Sequence, residues 1–167
     1  VFSNQGGSVQ LHHSNITENT ASYQGGGVFP HTISTLVQDS IIADNRAGNR
    51  GGGIYQYKGT LTVTRSVIKD NRQTPWTGAT RGGGGVAIYY NAVVTIRERA
   101  LDQNYAESNK GHQIFAYKYD FGGGAPNVTV VNTRFIPCTA CTTTGTNFHL
   151  FDYDTTSGGA AAYGLSR

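Results

Sequence analysis

Methionine is absent from this 167-residue chain, tryptophan occurs once, cysteine twice and proline four times. Charged side chains make up only 14%, against about 25% in an average globular chain. Highly charged disordered tails and long coiled coils both need many ionised groups, so neither class fits. The net charge of +3 is small and scattered, and nothing in it marks a nucleic-acid surface. No apolar run approaches the roughly 20 residues of a membrane-spanning helix, and no stretch carries a helical apolar stripe. The chain opens with neither Met nor a signal peptide, and Val1 falls inside a pattern. A processed or trimmed piece of something longer is therefore expected.

Glycine is what the chain has in excess, 23 residues, where an ordinary share is about 7%. The glycines recur in runs: Gly25-Gly26-Gly27-Val28-Phe29, Gly51-Gly52-Gly53-Ile54-Tyr55 and Gly83-Gly84-Gly85-Val86. A second mark recurs with them, in Ser14-Asn15-Ile16-Thr17-Glu18-Asn19, Ser40-Ile41-Ile42-Ala43-Asp44-Asn45 and Ser66-Val67-Ile68-Lys69-Asp70-Asn71. The asparagines are evenly spaced (45 − 19 and 71 − 45 both give 26). The next step, to Asn104, is longer by an insertion over Arg72–Gly82 that holds Pro75, Trp76 and Gly78. Equal periods interrupted by a loop-sized excess are the mark of a solenoid.

Counting back from each asparagine exposes a common interior. Eight residues upstream stand Leu11, Val37, Val63 and Ile96; ten upstream stand Val9, Thr35, Leu61 and Val94; three upstream stand Ile16, Ile42, Ile68 and Leu101. Val128, Val130 and Phe135 continue these columns, with Cys138 at the asparagine position. A spacing of two is strand alternation, and β-branched residues dominate the columns as strands require. One coil cannot bury its apolar face alone, whereas stacked coils enclose a continuous core. The expected fold is all-β: a right-handed single-stranded parallel β-helix of about five to six turns, handed by the crossover rule, with three short strands per turn. Residues 1–146 are assigned to the solenoid, with loop insertions near 72–82 and 117–126. Residues 147–167 are read as a terminal strand, Asn147 to Tyr153, and a small-residue arm, Thr155 to Arg167.

The recurrent Gly26-Gly27-Val28-Phe29 with Ile42-Ala43-Asp44-Asn45, and Gly52-Gly53-Ile54-Tyr55 with Ile68-Lys69-Asp70-Asn71, resemble the repeats of chlamydial polymorphic outer-membrane proteins. They are similar to other bacterial surface β-helix repeats as well. The chlamydial repeats usually carry Phe three residues before the asparagine, where this chain has Ile or Leu, and Phe135 is the match. The resemblance spans roughly residues 1 to 140. It implies an exported surface protein, an adhesin or a scaffold, and carries over no catalytic residue.

The column Asn19, Asn45, Asn71, Asn104 is expected to be a structural ladder, because stacked amides donate to one neighbour and accept from the other. One residue before it runs an acidic column, Glu18, Asp44 and Asp70. Stacked carboxylates are what a calcium site or a glycosidase pair would need. Arg46, Arg72 and Lys69 lie beside them, so a mutually neutralised surface ladder is the expectation. The outward Thr60, Thr62 and Thr64 raise ice binding, which the neighbouring Ser34, Leu36, Gln38 and Val93, Thr95, Arg97 make too irregular.

His12, His13, His31, His112 and His149 show no zinc-like spacing, and no metal or cofactor is implied. Cys138 and Cys141 form Cys-Thr-Ala-Cys. With no helix following and no second pair, a small structural disulfide is favoured over a redox or zinc site. Asn15-Ile16-Thr17 and Asn127-Val128-Thr129 are glycosylation sequons, with Asn15 expected to face outward. Tyr55, Tyr57, Tyr89, Tyr90, Tyr105, Phe115, Tyr117 and Tyr119 gather near the strand after the glycines. Some are core by alternation, yet adjacent pairs such as Tyr89-Tyr90 must place one ring outside, where it suits sugar stacking or a protein interface.

The function expected is that of an extracellular or cell-surface structural protein, not an enzyme, that stacks head to tail into a scaffold or filament. A glycan-binding adhesin is the alternative, and a polysaccharide lyase or glycoside hydrolase a more distant one.

Overall fold

The computed structural model describes residues 2–3, 7–74, 82–98, 100–107, 111–117, 125–136, 148–151 and 163–166. Among them there is no helix, and every strand pairing is parallel. The strands assemble into stacked sheets joined coil by coil, an arrangement consistent with a parallel β-solenoid. The broadest sheet has six strands: Ser8–His12, Thr32–Gln38, Lys58–Thr64, Val93–Arg97, Asn127–Val131 and Tyr163–Ser166. A five-stranded sheet follows it in each coil, from Asn15–Thr17, Ile41–Ala43, Val67–Lys69, Ala100–Asp102 and Arg134–Ile136. Ile54–Gln56, Val86–Tyr89, Ile114–Tyr117 and Phe148–Phe151 make a four-stranded sheet after the glycines.

Register follows the columns. Leu11 pairs with Val37, Val37 with Val63, Val63 with Ile96 and Ile96 with Val130. Ile16, Ile42, Ile68, Leu101 and Phe135 pair in the same way on the neighbouring sheet. Val37, Ile42, Leu61, Val63, Ile68, Val94, Ile96 and Leu101 are buried in one apolar cluster, against which Leu11 and Ile16 pack half-buried. Each full burial contributes about 1.5–3 kcal/mol. The whole cluster therefore outweighs any single polar feature of the fold.

A full coil has four strands where three were expected. The additional one is the two-residue step after each asparagine: Thr20–Ala21, Arg46–Ala47, Arg72–Gln73 and Tyr105–Ala106, stacked as a second four-stranded sheet. Two residues are too few to display an alternation, which is why periodicity passed over it. At the far end, Phe148–Phe151 pairs with Ile114–Tyr117, and Tyr163–Ser166, from the segment read as an arm, pairs with Val128–Val131.

The bends between sheets are built alike. His13, Asp39, Arg65, Glu98 and Asn132 open one of them at φ of 46–64°. Glu18, Asp44, Asp70 and Gln103 open the other at φ of 46–58°. At the glycine corner, Gly51 has φ 62°. At Gly52 a Cβ would strike the carbonyl oxygen of Gly84 and lie 2.6 Å from the Arg72 backbone. That corner thus requires both a left-handed residue and close approach of successive coils.

Candidate functional site

The asparagines lie immediately after the second bend, and their amides form a continuous column. Nδ2 of Asn19 donates to Oδ1 of Asn45, Asn45 to Asn71 and Asn71 to Asn104, each at 2.9 Å. Each of these Oδ1 atoms also accepts the preceding asparagine's backbone N–H at 3.0 Å. The second amide proton goes to a main-chain carbonyl: Ile16, Ile42 and Ile68 serve Asn45, Asn71 and Asn104 at 2.8 Å. Asn45, Asn71 and Asn104 are fully buried, so these bonds discharge polar groups that would otherwise be costly inside. The column closes where Asn104 donates to the Gln113 side chain. At its other end Asn19 is exposed, and among the described residues its Oδ1 accepts no bond.

A second ladder stands at the first bend, which the columns of the sequence did not reveal. The Ser14 N–H donates to Oγ of Ser40 at 3.0 Å, and Ser40 N–H to Oγ of Ser66 at 3.1 Å. Serine five places before asparagine in three successive coils was the available signal.

Glu18, Asp44 and Asp70 are exposed at the bend and carry the left-handed conformation that Asp and Asn tolerate best. Of the basic neighbours, Lys69 lies 3.4 Å from Asp70. Arg72 turns instead to Glu107, its Nε donating to Oε1 at 2.7 Å. A different exposed pair, Asp39 with Arg65, forms a two-pronged bond at 2.8 Å. Hydrogen bonding from Arg65 holds the Asp39 carboxyl well below the usual carboxylate range. Among the described residues no three His, Cys, Asp or Glu side chains converge as a metal site would need. Asn15 and Asn127 are exposed at their strands' first positions. Cys138 and Cys141 lie outside the described residues, as does Tyr119.

The aromatic residues divide between a buried layer and a rim. Tyr55, Tyr89, Phe115 and Tyr117 are buried, although they project from the outer face of the glycine-side sheet, opposite Ile54, Val86, Ile88 and Ile114. Both faces of those strands are covered, so alternation places no ring in solvent there. Of the adjacent pair, Tyr89 is the inner ring, 5.2 Å from Tyr55 with the Arg50 guanidinium 4.5 Å away, and Tyr90 the outer one. Burial pushes the Tyr55 and Tyr89 hydroxyls above their ordinary pKa. Half-buried rings remain at one rim: His31 stacks on Tyr57 at 4.5 Å, Tyr90 meets Tyr57 at 4.5 Å, and Lys58 Nζ lies 5.0 Å from the Tyr90 ring.

Comparison with protein-family models, curated proteins and solved structures returns no match. What the structure supports of the resemblance to chlamydial repeats is the stack of parallel sheets.

The outer face of the six-stranded sheet carries a shallow trough of about 250 Å³ across the first three coils. Ser8, Ser34 and Thr60 form one wall; Gln10, Leu36 and Thr62 form the other. Thr60 Oγ1 lies 3.0 Å from Ser34 Oγ. None of the six is ionisable. This is the face whose side chains are too irregular for an ice-binding array, and it is neutral across the first three coils.

Proposed function

We propose that the chain is a structural, non-catalytic element of an extracellular or cell-surface protein, a right-handed parallel β-helix that associates end to end. The amide column carries this reading. The invariant polar residue of the interior is spent on holding coil to coil, with donors and acceptors matched from Asn45 to Gln113. Such a column stiffens a stack.

The Oδ1 of Asn19, which accepts no bond among the described residues, would give the column an acceptor for one more amide. A second copy of this chain, stacked head to tail, would supply the donor and pair the free edge of Ser8–His12. A heterologous contact of this kind does not close on itself and propagates. Electron microscopy and sedimentation of the purified chain test the reading. Fibres that lengthen with concentration, and that Asn19→Leu shortens, are the expected result. A chain that stays monomeric at millimolar concentration removes the filament role.

A further inference from the structure

We infer that the trough on the outer face of the six-stranded sheet is a binding site for an extended neutral polysaccharide. This goes beyond the scaffold role and does not depend on filament formation. Both walls repeat once per coil, because Ser8, Ser34 and Thr60 are register partners, as are Gln10, Leu36 and Thr62. Successive coils stand about 4.8 Å apart along the axis, and the two walls are separated by about 6.7 Å, two residues of strand. The axial step is close to the rise of one sugar in an extended pyranose chain. A glycan lying along the trough therefore meets an equivalent side chain at each sugar.

The chemistry of the walls selects the ligand. Hydroxyls and an amide offer donors and acceptors without charge, and Leu36 gives the C–H face of a pyranose an apolar seat. Among the described residues, the Ser8 and Thr62 hydroxyls have no partner within the protein, so their capacity is open to a ligand. Lys58, two residues before Thr60 on the same strand, is turned to the Tyr57 and Tyr90 rings at 5.5 and 5.0 Å, and His12 Nε2 lies 3.3 Å from the Gln10 side-chain oxygen at the trough's edge. An anionic polymer thus finds no counter-charge in the trough. An added peptide strand would pair the edge of Ser8–His12 at the trough's end rather than lie across it, since the middle strand, Thr32–Gln38, is paired on both sides.

The test is affinity electrophoresis of the full 167-residue chain through gels holding hydroxyethylcellulose, laminarin, xylan or galactomannan, with polygalacturonate as the anionic comparison. Retardation by at least one neutral polymer and none by polygalacturonate is expected. Thr62→Arg should weaken that retardation at least tenfold. So should Ser8→Glu, placed on the exposed first coil where folding is least at risk. Tyr90→Ala, at the separate aromatic rim, should leave it unchanged. Far-UV circular dichroism of each variant confirms that it is folded. The proposal is overturned if no neutral polymer retards the chain, or if polygalacturonate does so equally. It is also overturned if Tyr90→Ala abolishes binding while the trough variants keep it, or if the chain shapes ice crystals through Thr62 and retains no glycan.

Discussion

Asn71 and Asn104 are joined by the same 2.9 Å amide bond that joins Asn45 to Asn71, although 33 residues rather than 26 separate them. The coils on either side of the longer step therefore stack as the others do. On either side of them, Arg72 still pairs with Arg46 and Tyr105, and Gly82 still bridges Arg50. Lengthening a surface loop costs little, because closure entropy grows only slowly with length. The interior columns set register, and the loops are free to vary.

That division makes the amide column a sensitive place to substitute. Asn71→Asp removes the donors to Asn104 and Ile42 and buries a charge beside two acceptors. A loss of about 3 kcal/mol or more is expected. Asn19→Asp, at the exposed end, should cost under about 1 kcal/mol. Urea denaturation of both variants at pH 7 measures the contrast.

Thr35 occupies a core column between Val9 and Leu61, 3% exposed, and its Oγ1 has no partner among the described residues. Thr35→Val should raise stability by about 1–2 kcal/mol, because it removes an unpaired buried hydroxyl and keeps the shape. Val63→Asp, in the neighbouring column, should cost more than about 4 kcal/mol, since the carboxylate meets only apolar side chains. Denaturation midpoints moving the same way in both variants would contradict this account of the interior.

Gly52→Ala places a methyl group against the Gly84 carbonyl and the Arg72 backbone. Neither neighbour can move without opening the spacing between coils. The chain should lose about 2 kcal/mol or more, as for overpacked cores. Gly7→Ala meets open space and is strained only by its φ of 83°, so it should cost about 1–2 kcal/mol. Thermal unfolding of the two variants side by side tests the ranking.

Acid should loosen the far coils through His112. Its Nδ1 accepts the Ala106 N–H at 3.0 Å and its ring stacks on Tyr105. Burial lowers its pKa below the ordinary 6.5. The unfolded chain then binds the proton more readily, so stability is full above pH 6.5 and falls as pH drops through the lowered value. His112→Gln should flatten the stability profile between pH 7 and about 5. Asp39, shifted down by Arg65, acts in a separate and more acidic window, below its ordinary 3.8.

Replacing Glu18, Asp44 and Asp70 together by Asn should leave stability within about 0.5 kcal/mol, because Asn accepts the left-handed conformation. Asp44→Val should cost about 1–2 kcal/mol, because a β-branched residue does not. If the triple variant lost a polysaccharide-cleaving activity shown by the parent chain, the column would have to be reassigned to chemistry.

The interior was legible because each column repeats one residue type at a fixed interval, as Ile16, Ile42 and Ile68 do. The aromatic layer was not. Whether Tyr89 is buried depends on what lies over the outer face of its strand, and a local period of two carries no information about that. Nor could alternation single out Thr20–Ala21 or Arg46–Ala47, which are shorter than one full period. His112 and Gln113 hide differently: they stand where earlier coils have paired glycines, as Gly84 and Gly85 do, and so break the motif that marks the corner. The trough had its residues in plain view. Its neutrality becomes a property only once register sets Ser34 beside Thr60 and Leu36 beside Thr62.

Every amide in the asparagine column is oriented alike, with its oxygen toward the preceding coil and an N–H toward the following one. Their dipoles add along the axis, as peptide dipoles do along an α-helix. The stack consequently has two unlike poles. At the Asn19 pole a bare oxygen attracts positive partial charge, and two such poles brought face to face repel. Were a second copy to stack on this one as proposed, it would join in one orientation only, a sense set by electrostatics before any side chain on the rim.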